Sequence, residues 1–402
     1  MADARVIIIG GGFAGIAAAR KLSRRAGASV LLIDRRSESH FLPMLPDLIG
    51  RPIRPRNLMY PLASLRRPGR CEVVRDDVRE VDTDRRIVRA AGRTETYDFL
   101  VIAAGSRTNF RGRDDLAAAS LKLDEVEDGL AIREAMAPGR RDAYVVCGGG
   151  YTGVEIATNL WRAFRRRPSP PRIALVEYAD GLCKALTAAG ATPAAAGFQE
   201  YIQDNVASLG IEVILNATVD EAAEGRVRLS NGRTFDRAGL IWTAGVRTPD
   251  FVQAMDAEKA AQGRIVVDEF LRLDERTFVT GDCAAVVPNR SSGSTGESGG
   301  GSAGQPIRMS VQFGLSEGSR AAGNILRAAS GRELRPFRPR DPGWVVPMAN
   351  FRSCGVALGL SMRGRLPTLM HYVMCVLRSW GVRNRAGLLR DLLGPKPRSS
   401  AS

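Results

Sequence analysis

Short apolar runs alternate with stretches carrying Ala or Leu at helical spacing from about residue 4 to residue 110. Val6-Ile7-Ile8-Ile9 opens the series, Ser29-Val30-Leu31-Leu32-Ile33 follows, and Phe99-Leu100-Val101-Ile102-Ala103-Ala104-Gly105 closes it. Strand signals separated by helical ones predict a doubly wound parallel sheet, so the fold class is α/β. A second block of the same kind runs from about 141 to 247. It holds Ala143-Tyr144-Val145-Val146-Cys147, Arg172-Ile173-Ala174-Leu175-Val176 and Leu240-Ile241-Trp242-Thr243-Ala244-Gly245. Strand patterns return at Arg264-Ile265-Val266-Val267-Asp268 and at Thr277-Phe278-Val279-Thr280-Gly281-Asp282.

The junctions between these strands and their helices carry the chemistry. Gly10-x-Gly12-x-x-Gly15 follows the first apolar run, and Gly148-x-Gly150-x-x-Gly153 follows the run ending in Cys147. Glycines at this spacing permit a tight strand-to-helix turn and let backbone N–H groups approach a pyrophosphate at the positive end of the helix. Each motif has its acid. Asp34 and Glu177 end the next strands, roughly 20 residues past the last glycine, where a carboxylate accepts hydrogen bonds from ribose hydroxyls. Two such sets in one chain predict two dinucleotide sites, most simply a bound flavin and a visiting nicotinamide.

The C-terminal pattern is different. Leu366-Pro-Thr-Leu-Met-His-Tyr-Val-Met-Cys-Val-Leu-Arg-Ser-Trp380 is too short for the roughly 20 apolar residues that cross a bilayer. Arginines flank it, and an amphipathic piece from Ala386 to Leu393 follows. Such a segment either lies in a membrane interface, apolar face down, or packs on its own domain. Asn289 to Gly304 is almost wholly Ser, Gly, Thr and Glu and cannot bury apolar surface, which predicts a mobile surface loop.

Length and composition change this picture little. The chain of 402 residues is long enough for two or three cored domains, and its apolar content of 44% and charged content of 25% are ordinary. Six cysteines without C-x-x-C spacing speak against a disulfide framework, a zinc site or a local redox dithiol. The first strand begins near Arg5, leaving no room for a signal peptide, so the cytoplasm is the expected compartment. The formal charge of +15 attracts nucleic acid or anionic lipid. Arg162 with Arg165-Arg166-Arg167 reads as solvated surface. Arg363, Arg365, Arg378, Arg383, Arg385 and Arg390 sit among apolar residues, where a membrane surface fits better.

Several further segments make the chain resemble the two-dinucleotide-fold flavoprotein oxidoreductases and, within them, the type II NADH dehydrogenases, single-chain NADH:quinone oxidoreductases. They are Gly10-Gly11-Gly12-Phe13-Ala14-Gly15, His40-Phe41-Leu42-Pro43-Met44-Leu45-Pro46 and Gly105-Ser106-Arg107-Thr108-Asn109-Phe110. Gly148-Gly149-Gly150-Tyr151-Thr152-Gly153-Val154-Glu155, Trp242-Thr243-Ala244-Gly245-Val246 and Gly381-Val382-Arg383-Asn384-Arg385 complete the set. The resemblance implies FAD at the first fold, with Asp34 on its adenosine ribose and Asp282 on the ribityl chain. Phe13, Ala14, Arg35, His40, Gly105 and Gly281 would join that site. NADH would bind the second fold at Gly148, Gly150, Tyr151, Gly153, Glu177 and Gly245. Tyr178 and Ala179 offer no arginine to a 2′-phosphate, which favours NADH over NADPH.

Glu155 falls where the family has a carboxylate near the nicotinamide–flavin contact, a candidate for proton handling. The family's acceptor-side segment reads Ala-Gln-x-Ala-x-Gln-Gln-Gly. Here the run is Val311-Gln312-Phe313-Gly314-Leu315-Ser316-Glu317-Gly318, which places Gln312 and Glu317 at the acceptor wall and puts a carboxylate where an amide is usual.

The resulting expectation is two Rossmann-like domains, the FAD domain interrupted by an inserted NAD domain, plus a C-terminal α/β interface region with amphipathic helices. The boundaries are 1–112 and 251–328 for FAD, with 289–304 the flexible loop, 113–250 for NADH, and 329–402 for the acceptor and membrane region. The expected activity is non-pumping transfer of hydride from NADH to FAD and then of two electrons to a membrane quinone. The partners are NADH, a quinone or other two-electron acceptor, lipid at the cytoplasmic face of the inner membrane, and a second copy in a homodimer; no metal and no specific nucleic acid are expected. Two rivals remain: a sulfide:quinone oxidoreductase using Cys183 and Cys354, and a basic NADH-responsive nucleic-acid-binding flavoprotein.

Overall fold

The computed structural model describes residues 4–184, 197–287 and 305–394. The Ser/Gly-rich stretch from Asn289 to Gly304 lies outside the described residues. In chain order the elements that matter are β1 (Ala4–Ile9), α1 (Phe13–Leu22), β2 (Ala28–Asp34), α2 (Leu45–Gly50), β3 (Cys71–Arg75), β4 (Phe99–Ile102) and β5 (Ser120–Leu121). Then come β6 (Ala143–Cys147), α3 (Tyr151–Phe164), β7 (Arg172–Val176), β8 (Glu212–Ile214), β9 (Ala238–Trp242), β10 (Thr277–Val279) and α4 (Val311–Ala329). The chain finishes with β11 (Gly343–Val346), β12 (Ser353–Ala357), β13 (Leu360–Gly364), α5 (Arg365–Arg378) and α6 (Val382–Leu393).

Two units share these elements. The first comprises residues 1–39, 61–107 and 246–341; the second comprises 40–60, 108–245 and 342–402. In the first unit a five-stranded parallel sheet runs β10-β4-β1-β2-β3. Its central strand is apolar on both faces because the sheet is covered on both: Val6, Ile7 and Ile8 are fully buried. In the second unit the order β5-β9-β6-β7-β8 is also parallel throughout, and β6 is buried from end to end. Each glycine motif thus sits at the C-terminal end of a middle strand, beside the point where the strand order reverses. That crevice is where open α/β sheets bind ligands.

The division differs from the expected one in two places. Residues 40–60, which carry the His40-to-Pro46 segment, belong to the second unit, and so does the C-terminal region from 342. That region is an antiparallel meander, β11-β12-β13, followed by α5 and α6. Its attachment explains the Gly381-Val382-Arg383-Asn384-Arg385 segment. Buried Asn384 donates through Nδ2 to the Met59 carbonyl at 2.8 Å. One α-helical stretch further on, buried Asp391 accepts from Arg54 N–H, Arg54 Nε and Asn57 Nδ2 at 2.9, 2.7 and 2.6 Å. At Gly387 a Cβ would come within 2.3 Å of Asn57 Oδ1, so only glycine lets the helix lie this close. The segment is a latch, and sequence likeness there records packing.

In the first unit, α1 lies against α4 with small residues at the contact. A Cβ at Gly318 would stand 2.1 Å from the Ala14 carbonyl oxygen, and Ala321 and Ala322 are fully buried. The obstacle is backbone, so relief needs a helix shift. Gly318→Ala should therefore destabilise the protein by about 1–3 kcal/mol despite alanine's better helix propensity. Chemical unfolding followed by circular dichroism reads this as a lowered midpoint; an unchanged or raised midpoint would refute the close approach.

Candidate dinucleotide and proton-handling sites

Both glycine turns are built to one plan. Gly10 N–H donates to the Ile33 carbonyl at 2.8 Å, and Gly148 N–H to the Val176 carbonyl at 2.8 Å, which closes each turn onto the adjacent strand. A Cβ at Gly15 would meet the Gly10 carbonyl oxygen at 1.8 Å, and one at Gly153 the Gly148 carbonyl oxygen at 1.9 Å. The third glycine of each motif is therefore fixed by helix-to-turn packing. At the middle glycines the reverse holds: among the described residues nothing lies within 4 Å of a Cβ at Gly12 or Gly150. Those positions are open, and they cap helices whose first turns carry no acidic residue. Backbone donors at an open, acid-free helix start fit a pyrophosphate.

The two acids brace these turns. Asp34 Oδ2 accepts Gly11 N–H at 2.6 Å and its Oδ1 accepts Arg36 N–H at 2.8 Å. Glu177 repeats the arrangement, taking Gly149 N–H on Oε2 and Ala179 N–H on Oε1 at 2.9 Å. A carboxylate oxygen accepts more than one hydrogen bond, so each acid can hold its loop and still receive ribose hydroxyls. Tyr151 and Tyr178 are exposed near the second turn, while Arg35 is exposed beside the first. Gly105 and Gly245 adopt positive φ of 70° and 123°, each just past the end of a parallel strand.

In the first unit, Asp282 accepts from the Ser106 hydroxyl at 2.6 Å. Burial raises its carboxyl above the usual range, against the hydrogen bond from Ser106 and the charge of Arg264. Arg264, buried itself, donates to the carbonyls of Ala284 and Ile307. The sequence reading missed this arginine; its only signal is a cation heading the apolar strand Ile265–Val267. Glu317 belongs to the same buried group. Its Oε2 accepts Gly281 N–H at 2.5 Å, and burial pushes its carboxyl up to about 8. The acceptor-wall expectation for Glu317 is corrected here: the carboxyl faces inward and holds the Gly281–Asp282 turn. Ser316, one residue earlier, shares a helix face with Gln312 and donates to its carbonyl at 2.9 Å. Gln312 Nε2 in turn donates to Asp341 Oδ1 at 3.3 Å, an oxygen also held by Arg308 at 2.6 Å.

His40 caps a helix start. It is buried in the second unit, where Nδ1 accepts Val126 N–H at 3.2 Å, which requires the neutral ring with its proton on Nε2. His40, Glu125 and Glu127 bring donor atoms within 4.8 Å of one another, but Nδ1 is already engaged by that N–H.

Glu155 lies on α3, buried against α2. Burial, and then the charge of Asp47, push its carboxyl well above the usual range. Asp47 Oδ1 receives Arg51 Nε at 2.6 Å and the Tyr372 hydroxyl at 2.8 Å. The Arg51 guanidinium lies over the rings of Phe351 and Tyr372, 5.1 and 4.8 Å from their centroids. Asp47, Arg51 and Tyr372 were not singled out in the sequence, since a carboxylate on a six-residue helix has no pattern that pairs it with a tyrosine 325 positions away.

Cys183 and Cys354 both lie buried in the second unit's apolar core. Burial raises both thiols, Cys354 to about 12, and the charge of Cys354 raises Cys183 further. Thiols so far from ionisation are poor nucleophiles, which removes support from the sulfide-oxidising rival.

Comparison with known proteins agrees with this geometry. A type II NADH:quinone oxidoreductase from Mycobacterium tuberculosis is 28% identical over 391 residues, covering 86% of this chain and 78% of the relative. Its counterpart from Staphylococcus aureus is 22% identical over 398 residues, covering 92% and 94%. Among solved structures, NDH2 from Plasmodium falciparum in complex with NADH superposes with a TM-score of 0.81 at 16% identity, covering 97% of both chains. The sulfide:quinone oxidoreductase of Aquifex aeolicus has the same fold, with a TM-score of 0.71 at 18% identity over 97% of this chain and 93% of that one. Residues 4–308 match the family described as pyridine nucleotide-disulphide oxidoreductase. With two braced glycine turns on two parallel sheets and a family match spanning both, the chain belongs to the pyridine nucleotide-disulphide oxidoreductases and is an oxidoreductase.

Proposed function

We propose that this enzyme is an FAD-dependent NADH dehydrogenase that delivers two electrons to a membrane quinone without pumping protons. The observation that carries the reading is the duplicated carboxylate-braced glycine turn, one copy per unit, each opening an acid-free helix start. The resemblance to type II NADH:quinone oxidoreductases along nearly the whole chain supports the choice of donor and acceptor. Bound at the first turn, FAD would accept hydride from NADH and release two electrons to the acceptor.

The chain's own residues have separable tasks in this scheme. Gly12 and the start of α1 receive the FAD pyrophosphate, Asp34 its adenosine ribose, and Asp282 with Ser106 the ribityl hydroxyls. Gly150 and the start of α3 receive NADH, with Glu177 on the ribose. Tyr178 and Ala179 follow Glu177 with no cation for a 2′-phosphate, which favours NADH over NADPH. Glu155, kept neutral by its surroundings, holds a proton for the reduced acceptor. Gln312 and Ser316 form the face turned toward the acceptor.

A quinone is lipid-soluble, and α5 suits an enzyme working at a bilayer surface. Its buried residues, Pro367, Thr368 and Cys375, lie on one side. Leu366, Leu369, Val373 and Leu377 lie on the other, 57, 61, 47 and 56% exposed, at the spacing of one helical stripe. Exposed Arg365, Arg383 and Arg390 flank it. The helix therefore packs and presents an apolar face at once, so the two sequence readings of this segment are compatible. No helix among the described residues is long and apolar enough to cross a membrane. The orientation proposed is peripheral, on the cytoplasmic side of the cell membrane.

Purified protein should be yellow, bleach anaerobically with NADH, and regain its colour with a quinone; colourless protein that refuses FAD would overturn the assignment. Glu177→Ala should raise the NADH KM roughly 10- to 100-fold, the loss of charged hydrogen bonds worth about 1.5–3 kcal/mol, with flavin content unchanged. Unaltered NADH kinetics would remove Glu177 from the site. Replacing Leu366, Leu369, Val373 and Leu377 together by Ser should abolish co-flotation with anionic liposomes while NADH-dependent dye reduction persists. Equal flotation of the variant and wild type would refute a lipid-facing stripe.

A further inference from the structure

In the second unit β6 ends at Gly148 between two other strand ends, β7 with Glu177 on one side and β9 on the other. The β9 side is stitched to the glycine turn. Thr243 N–H donates to the Cys147 carbonyl at 2.7 Å, and the Thr243 hydroxyl donates to the carbonyls of Cys147 and Gly148 at 2.9 and 3.0 Å. A Cβ at Gly148 would come within 2.8 Å of Ala244 N, so Ala244 and Gly245 form a lip directly against the turn.

A strap made of residues 109–111 crosses this lip. Asn109 N–H donates to the Gly245 carbonyl at 3.0 Å, and the Asn109 carbonyl accepts Trp242 Nε1 at 2.9 Å. Phe110 packs on the Trp242 ring, their centroids 5.8 Å apart. Asn109 Oδ1 accepts Arg111 N–H at 2.8 Å and holds Arg111 at a φ of 56°, a left-handed backbone that disfavours any residue with a Cβ. From there the side chain folds back over the lip. Its Nε and Nη2 both donate to the Ala244 carbonyl at 3.3 Å, and Nη2 stands 3.6 Å from where a Gly245 Cβ would be. Among the described residues no carboxylate pairs with Arg111, and its Nη1 group has no acceptor.

We propose that Arg111 is a further ligand of the second dinucleotide site, its guanidinium taking the nicotinamide-side phosphate of the pyrophosphate. The inference rests on the reading of the second turn as the NADH site and adds to it a residue on the opposite lip. The start of α3 receives the pyrophosphate, and Glu177 fixes the adenosine ribose on the β7 side. The dinucleotide therefore leaves the turn toward β9, and the first group it carries there is the second phosphate. Backbone N–H groups bring only partial charge to that anion; a guanidinium brings a full one, in a fork that matches phosphate oxygens. The Cys147 thiol, at the end of β6, lies within reach of both lips. Burial pushes it up to about 12, and of the side-chain charges acting on it Glu177 raises it while Arg111 lowers it. Because Arg111 sits across β6 from Glu177, it brings no cation to the adenosine ribose, and the preference for NADH over NADPH stands.

The test is calorimetric titration of the flavin-loaded enzyme with ADP-ribose, which has both phosphates, and with AMP, which has the adenosine-side phosphate alone. Arg111→Met should weaken ADP-ribose binding roughly 10- to 100-fold, the loss of a charge-assisted hydrogen bond, and leave AMP binding unchanged. Added salt should weaken ADP-ribose binding less steeply in Arg111→Met than in wild type, a difference that a purely structural strap would not produce. ADP-ribose affinity that does not move, equal weakening of both ligands, or an identical salt dependence would overturn the proposal. Should Arg111→Met fail to fold, Arg111→Lys carries the test. It keeps a point charge, so a smaller loss confined to ADP-ribose is expected, and equal loss of both ligands or none overturns the role. Glu177→Ala separates this outcome from failure of the underlying reading. If it weakens both ligands while Arg111→Met weakens neither, Arg111 alone is rejected; if ADP-ribose binds without regard to Glu177, the second-turn assignment falls and the proposal with it.

Discussion

The contact between the third glycine of each motif and the carbonyl of the first is the constraint on which the rest depends. With only 1.8 and 1.9 Å between a notional Cβ and that oxygen, no side chain is possible, and helix and turn are locked as one body. That locking fixes where the N–H groups at the helix start point. The strand-end acids then tie the turn to the next strand, Asp34 through Gly11 N–H and Glu177 through Gly149 N–H. The anion site and the ribose site are thereby held in fixed relation within each unit. Preorganisation of this kind lowers the ordering cost when a dinucleotide binds.

A second layer of order comes from small clusters of polar groups. Asp391 takes hydrogen bonds from Arg54 and Asn57, Asp47 from Arg51 and Tyr372, and Asp282 from Ser106 beside the charge of Arg264. Such groups are weak sources of net stability, because desolvation offsets most of the attraction. What they give is a unique geometry: a carboxylate that has left water accepts only the arrangement that satisfies it. The three clusters sit at a helix latch, beside a turn, and on the helix that Glu155 packs against, which are places where position matters more than affinity.

Much of this could be read from the residues. The two parallel sheets follow from apolar runs separated by helical ones, and the bracing acids follow from their distance past the glycines. The exposed stripe of α5 was half legible: the run of apolar residues gave the helix, but one-dimensional periodicity could not say which side Thr368 and Cys375 would take. The meander's place in the second unit was not legible, because its strands are short and their partners local. Glu317 was misread for a physical reason. Aligned segments say which position corresponds, while the side to which a helical residue points depends on what the helix packs against. Here α1 presses on the face of Gly318, so the neighbouring Glu317 turns toward Gly281 and Ser316 turns away.

That rotation bears on the acceptor. With Glu317 inward, the exposed face one turn after Gln312 offers a serine hydroxyl that is already bonded to the carbonyls of Gln312 and Phe313. A back-bonded hydroxyl has little left to donate to an incoming carbonyl. Under the proposed function, Gln312, whose amide donates to Asp341, would then be left as the polar group on this face. On the same reading, the Glu317 carboxyl, engaged by Gly281 N–H, would not stand against an acceptor on that face.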